Sequence, residues 1–243
     1  MATRKWKTLV LVLGLSGVLA FGQEPWVITP EGGLLVNKEN SSAIVRLGFK
    51  AGVGVYHQIK AGLGETKPAF GLKSGLYIIQ QHGLYNALGS QPLLDDNYYV
   101  TSIGSSSTRY YLQLPVMPMW RFALADDISL DLAIGPYVGV GVGGNGYVAI
   151  NAELLNGRDE LGLEPFKDIY EEFNPFEGKR IDDYYRIKST PRFDWGGTAS
   201  VGITVRRVSF SIGCDVAFGH ITDDQTQFLS RSQMVSFMLG YKL

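Results

Sequence analysis

The dominant period along the chain is two. From Ile128, one face reads Ile128, Leu130, Leu132, Ile134, Pro136, Val138, Val140 and Val142. Ser129, Asp131, Ala133, Gly135, Tyr137, Gly139, Gly141 and Gly143 oppose it. This run is far longer than the about five or six residues of an ordinary soluble strand. The same alternation recurs over 43–57, 108–124, 194–206 and 208–220, and less cleanly over 70–84 and 232–243. Such long alternating segments are the pattern of tilted strands that cross a bilayer.

Alternation alone leaves open which face is inside, because a soluble lipid-binding barrel and a membrane barrel are mirror solutions. Three features favour the membrane solution. The polar face is crowded with Gly, which weakens an exposed strand but makes room in a narrow lumen beside Tyr56, Tyr77, Tyr111 and Tyr137. Aromatic residues on the apolar face sit at its ends, with Tyr110, Trp195 and Phe218 at one edge and Trp120, Phe122, Phe210 and Tyr241 at the other. Tyr110 to Trp120 spans about 33 Å of strand, or roughly 25 Å along the membrane normal at ordinary tilt. Connections also alternate, tight at Ala125–Asp127 and near Arg206–Arg207 but long at 86–107, 147–191 and 221–231.

These features predict an all-β protein: an eight-stranded antiparallel transmembrane β-barrel with short periplasmic turns and long outer loops. Counting directions back from the last strand demands one more strand before 43–57, and only 24–37 can supply it. Pro30 and Gly32–Gly33 make that segment poor strand material.

Arg4, Lys5 and Lys7 precede an apolar stretch from Leu9 to Ala20, and Ala20-Phe21-Gly22 supplies small residues before Gln23. This layout predicts a signal peptide over 1–22 and a barrel domain over 23–243, the latter including the long outer loop 147–191. The apolar core is too short to span a bilayer as a helix, which needs about 20 residues. Net charge is -1, with no Lys/Arg-rich run, so nucleic acid is not an expected partner. One Cys and three scattered His leave no disulfide framework or zinc spacing, and neither a metal nor another cofactor is expected.

Several blocks resemble a known family. Tyr111-Leu112-Gln113-Leu114-Pro115, Ile134-Gly135-Pro136-Tyr137-Val138-Gly139, Phe193-Asp194-Trp195-Gly196 and the closing Leu239-Gly240-Tyr241-Lys242-Leu243 are similar to strands of the PorT-like outer-membrane β-barrel proteins of Bacteroidetes. The resemblance covers roughly 70–243. Leu243 stands where that family usually ends in Phe, and the loop 147–191 is longer than the family pattern. The resemblance implies the barrel, an outer-membrane location and, more remotely, a link to protein secretion.

An eight-stranded barrel is just wide enough for side chains to fill it. Arg46, Lys50, Lys73, Arg121, Arg206 and Lys242 are expected on the lumen face against Asp131, Asp215 and Asp194, as an ion-pair network or, alternatively, a solute path. In the long loop, Phe166, Ile169, Tyr170 and Phe173 fall at helical spacing between Pro165 and Asn174-Pro175. That spacing predicts a short amphipathic helix that packs on the barrel mouth or binds a partner. A hydrolase would need a nucleophile and base, for which Ser105–Ser107, His82, His220, Asp223 and Asp224 are the available residues, without a binding motif. The expected function is a non-enzymatic structural or interaction subunit in secretion or envelope assembly. It is expected to contact outer-membrane lipid and other envelope or secretion proteins. A lipid- or peptide-hydrolysing barrel and a small-solute channel are the alternatives.

Overall fold

The computed structural model describes residues 26–38, 45–60, 68–88, 93–95, 97–154, 164–180, 186–187, 189–218 and 233–243. The expected signal peptide and the connection 221–231 lie outside them. Twelve strands occur in chain order among the described residues. They are β1 (Trp26–Lys38), β2 (Val45–Lys60), β3 (Ala69–Leu88), β4 (Leu93–Asp95), β5 (Tyr98–Ala125) and β6 (Ile128–Leu154). β7 (Phe166–Phe173), β8 (Lys179–Arg180), β9 (Arg186–Ile187), β10 (Phe193–Val205), β11 (Val208–Ala217) and β12 (Gln233–Tyr241) follow. No described helix is long and apolar enough to cross a membrane, and the crossing elements are strands.

Eight strands close a ring in the order β1-β2-β3-β5-β6-β10-β11-β12, every neighbouring pair antiparallel, with β12 returning to β1. β1 is the strand required at 24–37. Its odd composition suits the closing seam: a Cβ at Gly33 would lie 1.8 Å from the carbonyl oxygen of Phe237 on β12. Pro30 stands one residue before the ladder to β12 begins, at Glu31↔Gly240.

Polarity is inverted within the ring. Leu47 is 65% exposed and Ile134 59%, whereas Asp215 and Gln113 are each 1% exposed and Lys50 8%. Water would select the reverse arrangement, and a hydrocarbon surround selects this one. Aromatic pairs mark both edges of the apolar band. Trp195 and Phe218 meet edge-to-face at 5.5 Å, while Phe70 and Trp120 lie 5.6 Å apart at the other edge.

β5 and β6 are 28 and 27 residues long, where a tilted crossing needs about 9–11. The excess projects outward. β10 starts at Phe193↔Val140, so β6 beyond Gly141 has left it behind, and β7 takes over as its neighbour from Gly146 to Glu153. Much of the expected loops 86–107 and 147–191 is therefore strand. One-parity counting missed this because register shifts at Tyr110/Tyr111 and Val100/Ser102 exchange the inner and outer faces. In β6 the buried positions change from Ala133, Tyr137 and Gly141 to Gly146, Val148, Ile150 and Ala152.

Candidate functional site: the lumen and the outer extension

The lumen is filled by rings and ion pairs, and small residues make the space. A Cβ at Gly71 would lie 2.5 Å from the Tyr56 ring, one at Gly75 2.7 Å from Tyr77, and one at Gly196 2.7 Å from Tyr137. Tyr56 and Tyr137 thus each rest against a missing side chain on a neighbouring strand, and Tyr77 against one on its own strand.

Three carboxylates organise the charges. Asp215 accepts Lys50 Nζ at 2.9 Å, Gln113 Nε2 at 3.3 Å and the Thr198 hydroxyl at 2.5 Å. Glu31 accepts Lys73 Nζ and the Tyr77 hydroxyl, each at 3.0 Å. Asp131 receives the fork of Arg121 at 2.7 and 3.0 Å, with Lys242 Nζ at 3.6 Å. Arg121 also lies over the Tyr56 ring, 4.5 Å from its centre. Farther out, Tyr137 donates to Asp194 at 3.3 Å, and Arg46 is half-buried with no hydrogen bond at Nε among the described residues. Buried charge requires this degree of pairing, since an isolated ion in a low-dielectric interior is strongly disfavoured.

One expected member drops out of the network and one residue joins it. Arg206 is not in the lumen. β10 ends at Val205, and Arg206 takes a left-handed φ of 54° in the tight turn, which breaks the alternation. Its side chain is 80% exposed and reaches Asp127 of the neighbouring turn at 3.4 Å. Glu31, which sequence reasoning omitted, belongs in the network. It escaped because Pro30 and Gly32–Gly33 obscured the alternation of β1.

The outer mouth is stopped by the turn after β7. Phe176 N donates to Asn174 Oδ1 at 3.0 Å, and the amides of Glu177 and Gly178 return to the Asn174 carbonyl. Gly178 completes the turn at φ 68°. This turn drives Phe176 into the cluster of Leu35, Tyr77, Ile79, Tyr111, Met234 and Met238. A Cβ at Gly141 would lie 2.3 Å from the Phe176 ring, so Gly141 is the socket. Arg192 covers the ring from the other side at 5.1 Å and lies 3.5 Å from Glu177.

The expected helix over 166–173 is a strand. Pairing with β6 across Gly146↔Phe173 to Glu153↔Phe166 sets a period of two, which splits the four apolar residues. Ile169 and Phe173 turn inward and pack, with Leu154 and Ile187, against Tyr98, Val100, Ile103, Val148, Ile150 and Ala152. Phe166 and Tyr170 face out, 65% and 73% exposed. β-branched and aromatic residues beside an open strand edge favour sheet over the helical reading of the same spacing. The extension thus has its apolar side inward, opposite to the ring on the same strands. On its outside, Ser105, Ser106, Tyr147, Ala149 and Tyr170 border a groove of about 440 Å³.

The residues weighed for hydrolysis do not assemble among the described residues. His82 Nδ1 lies 3.1 Å from the Thr108 hydroxyl, and Ser105–Ser107 stand opposite Tyr85, Leu84 and Gly83. His220, Asp223 and Asp224 lie outside the described residues. No cluster of His, Cys, Asp and Glu suited to a metal occurs among the described residues.

A family model described as an outer membrane protein beta-barrel domain matches residues 21–223. The chain is similar to Ail, the attachment invasion locus protein of Yersinia pestis. That alignment covers 91% of this chain and 100% of Ail, at 9% identity and a TM-score of 0.37. It is also similar to a deletion mutant of TodX, the monoaromatic hydrocarbon channel of Pseudomonas putida, over 92% of this chain and 91% of that one, at 8% identity and a TM-score of 0.30. No curated protein matches in sequence.

Proposed function

Because the chain belongs to the outer membrane protein beta-barrel domain family, we propose that it works by contact, as a non-enzymatic structural or interaction subunit in protein secretion or envelope assembly. The PorT-like motifs of its strands give the secretion reading its direction. The segment 1–22 serves as a cleaved export signal, and outer-membrane lipid surrounds the ring. A protein of the envelope or secretion machinery binds the outer extension.

The observation that carries this reading is the inversion of polarity along β5 and β6. Below Tyr110 and Gly143 these strands expose apolar side chains. Beyond them, Tyr98, Val100, Val148 and Ile150 form a buried core. A sheet with its own core, held beyond the apolar band above a stoppered lumen, presents a rigid surface rather than a passage. The exposed Phe166, Tyr170 and Tyr147 are aromatic anchors of the kind enriched where proteins bind one another.

Recovery of the tagged chain in mild detergent tests the proposal, with a discrete co-purifying protein expected. Replacing Phe166 and Tyr170 by Ser should abolish its recovery while the barrel still forms. Replacing Ile169 and Phe173 by Ser should instead lower the melting midpoint. A partner retained at full yield by the Phe166/Tyr170 variant, or bare monomer from the native envelope, would contradict the assignment.

A further inference from the structure

The inner half of the lumen contains a cavity of about 40 Å³, lined by Glu31, Lys73, Arg121, Asp131 and Lys242 among its charged groups. Among the described residues three cations face two carboxylates there, and the two carboxylates are already paired with Lys73 and Arg121. Glu31 takes Lys73 on one oxygen and the Tyr77 hydroxyl on the other. Asp131 takes the Arg121 fork on both oxygens. Lys242 forms only a looser ion pair with Asp131 at 3.6 Å, beyond hydrogen-bond reach and shared with Arg121. Its ammonium is the surplus charge, and burial makes a surplus charge costly.

The remaining lining supplies further donors. Tyr56 is 4% exposed, and its hydroxyl makes no hydrogen bond among the described residues. The hydroxyls of Ser200, Ser209 and Ser211 also border the space and can turn their protons towards it. A neighbouring cavity of about 30 Å³ provides an internal comparison. There Lys50 meets Asp215 at 2.9 Å and Lys73 meets Glu31, so its charges balance. Surplus positive charge and an idle donor coincide in the first cavity.

We propose that this cavity binds one small monovalent inorganic anion of chloride's size, drawn from the periplasmic side. Lys242, Arg121 and the Tyr56 hydroxyl are its donors. A water needs about 10–15 Å³ by a comparable measure, so the space admits such an ion with little accompanying water and excludes a sugar or nucleotide. The bound ion balances Lys242 and stiffens the inner end of the barrel without requiring a passage through it.

The test uses the full chain folded in detergent micelles at neutral pH, with thermal unfolding followed by gel mobility. Sodium chloride is titrated against sodium gluconate at constant ionic strength. Chloride should raise the midpoint saturably, and gluconate, too large to enter, should not. Lys242→Met should remove the response. Tyr56→Phe should weaken apparent chloride affinity by about tenfold, the size of one hydrogen bond to a charged group. If Lys242→Met does not fold, Tyr56→Phe combined with Ser209→Ala carries the test, and a response identical to the native protein's overturns the proposal. Equal midpoints in the two salts, as expected if the cavity holds only water, also overturn it, as does a folded Lys242→Met that keeps the native response.

Discussion

Phe176 stands edge-on to Tyr111, their ring centroids 5.4 Å apart and their planes at 82°. This contact joins the turn after β7 to the wall of the ring and closes the outer mouth. An edge-to-face pair adds about 0.5–1.5 kcal/mol beyond burial, and Gly141 opposite leaves the ring its room.

Phe176→Ala should therefore destabilise the folded barrel by about 3–5 kcal/mol, the usual cost of emptying a buried Phe site. Urea unfolding in micelles, followed by the gel shift between folded and heated forms, measures it. Gly141→Leu should produce a comparable loss from the opposite side, because its side chain would occupy the same socket.

The inward glycines provide a sharper contrast. Gly196→Leu should prevent native closure, since even a Cβ would lie 2.1 Å from the Val216 carbonyl oxygen and 2.7 Å from the Tyr137 ring. Gly143→Ala should be tolerated, because no described residue lies within 4 Å of the added carbon. Folding yield on an unheated gel separates the two. Equal yields would mean that the rings do not occupy the positions described.

How far these features were legible in the sequence follows from the physics of each. The eight-strand ring was legible because alternation survives wherever one face meets lipid, as along Ile128–Val142. The companionship of Gly and Tyr was legible because a narrow lumen has few ways to fill itself. The extension was obscured by bulges, since one extra residue on β6, Val142 opposite Tyr110/Tyr111, and one on β5, Thr101, reverse parity. The helix expected at Phe166–Phe173 failed because i, i+3, i+4, i+7 spacing over eight residues is also met by β-formers, and pairing with β6 decided the outcome. The stopper was readable in part: Asn174-Pro175-Phe176-Glu177-Gly178 is turn chemistry, with Asn bonding the backbone and Gly supplying positive φ. Nothing in the pattern said that the turn would face inward.

Lys50→Met should lower stability by about 3–5 kcal/mol, because it leaves Asp215 buried without its cation. Adding Asp215→Asn should recover part of the loss by removing the orphaned charge. A double-mutant cycle on unfolding midpoints reads the coupling, and strict additivity would show that the two side chains do not interact.

Orientation is open to chemistry in intact cells. Cys214 faces outward from the ring, so labelling begins from Cys214→Ala. A Cys at Asp126, in the tight turn between β5 and β6, should resist an impermeant thiol reagent. One at Glu172, on the outer extension, should react. The opposite result would invert the barrel in the membrane and with it the site proposed for partners.

Conductance of the purified protein in planar bilayers tests most directly the claim that this barrel acts by contact rather than by passage. Phe176 stops the mouth, and the Asp215, Glu31 and Asp131 clusters occupy the lumen below it. The account predicts no sustained opening at any moderate voltage. Stable, ion-selective current steps from the native chain would contradict it.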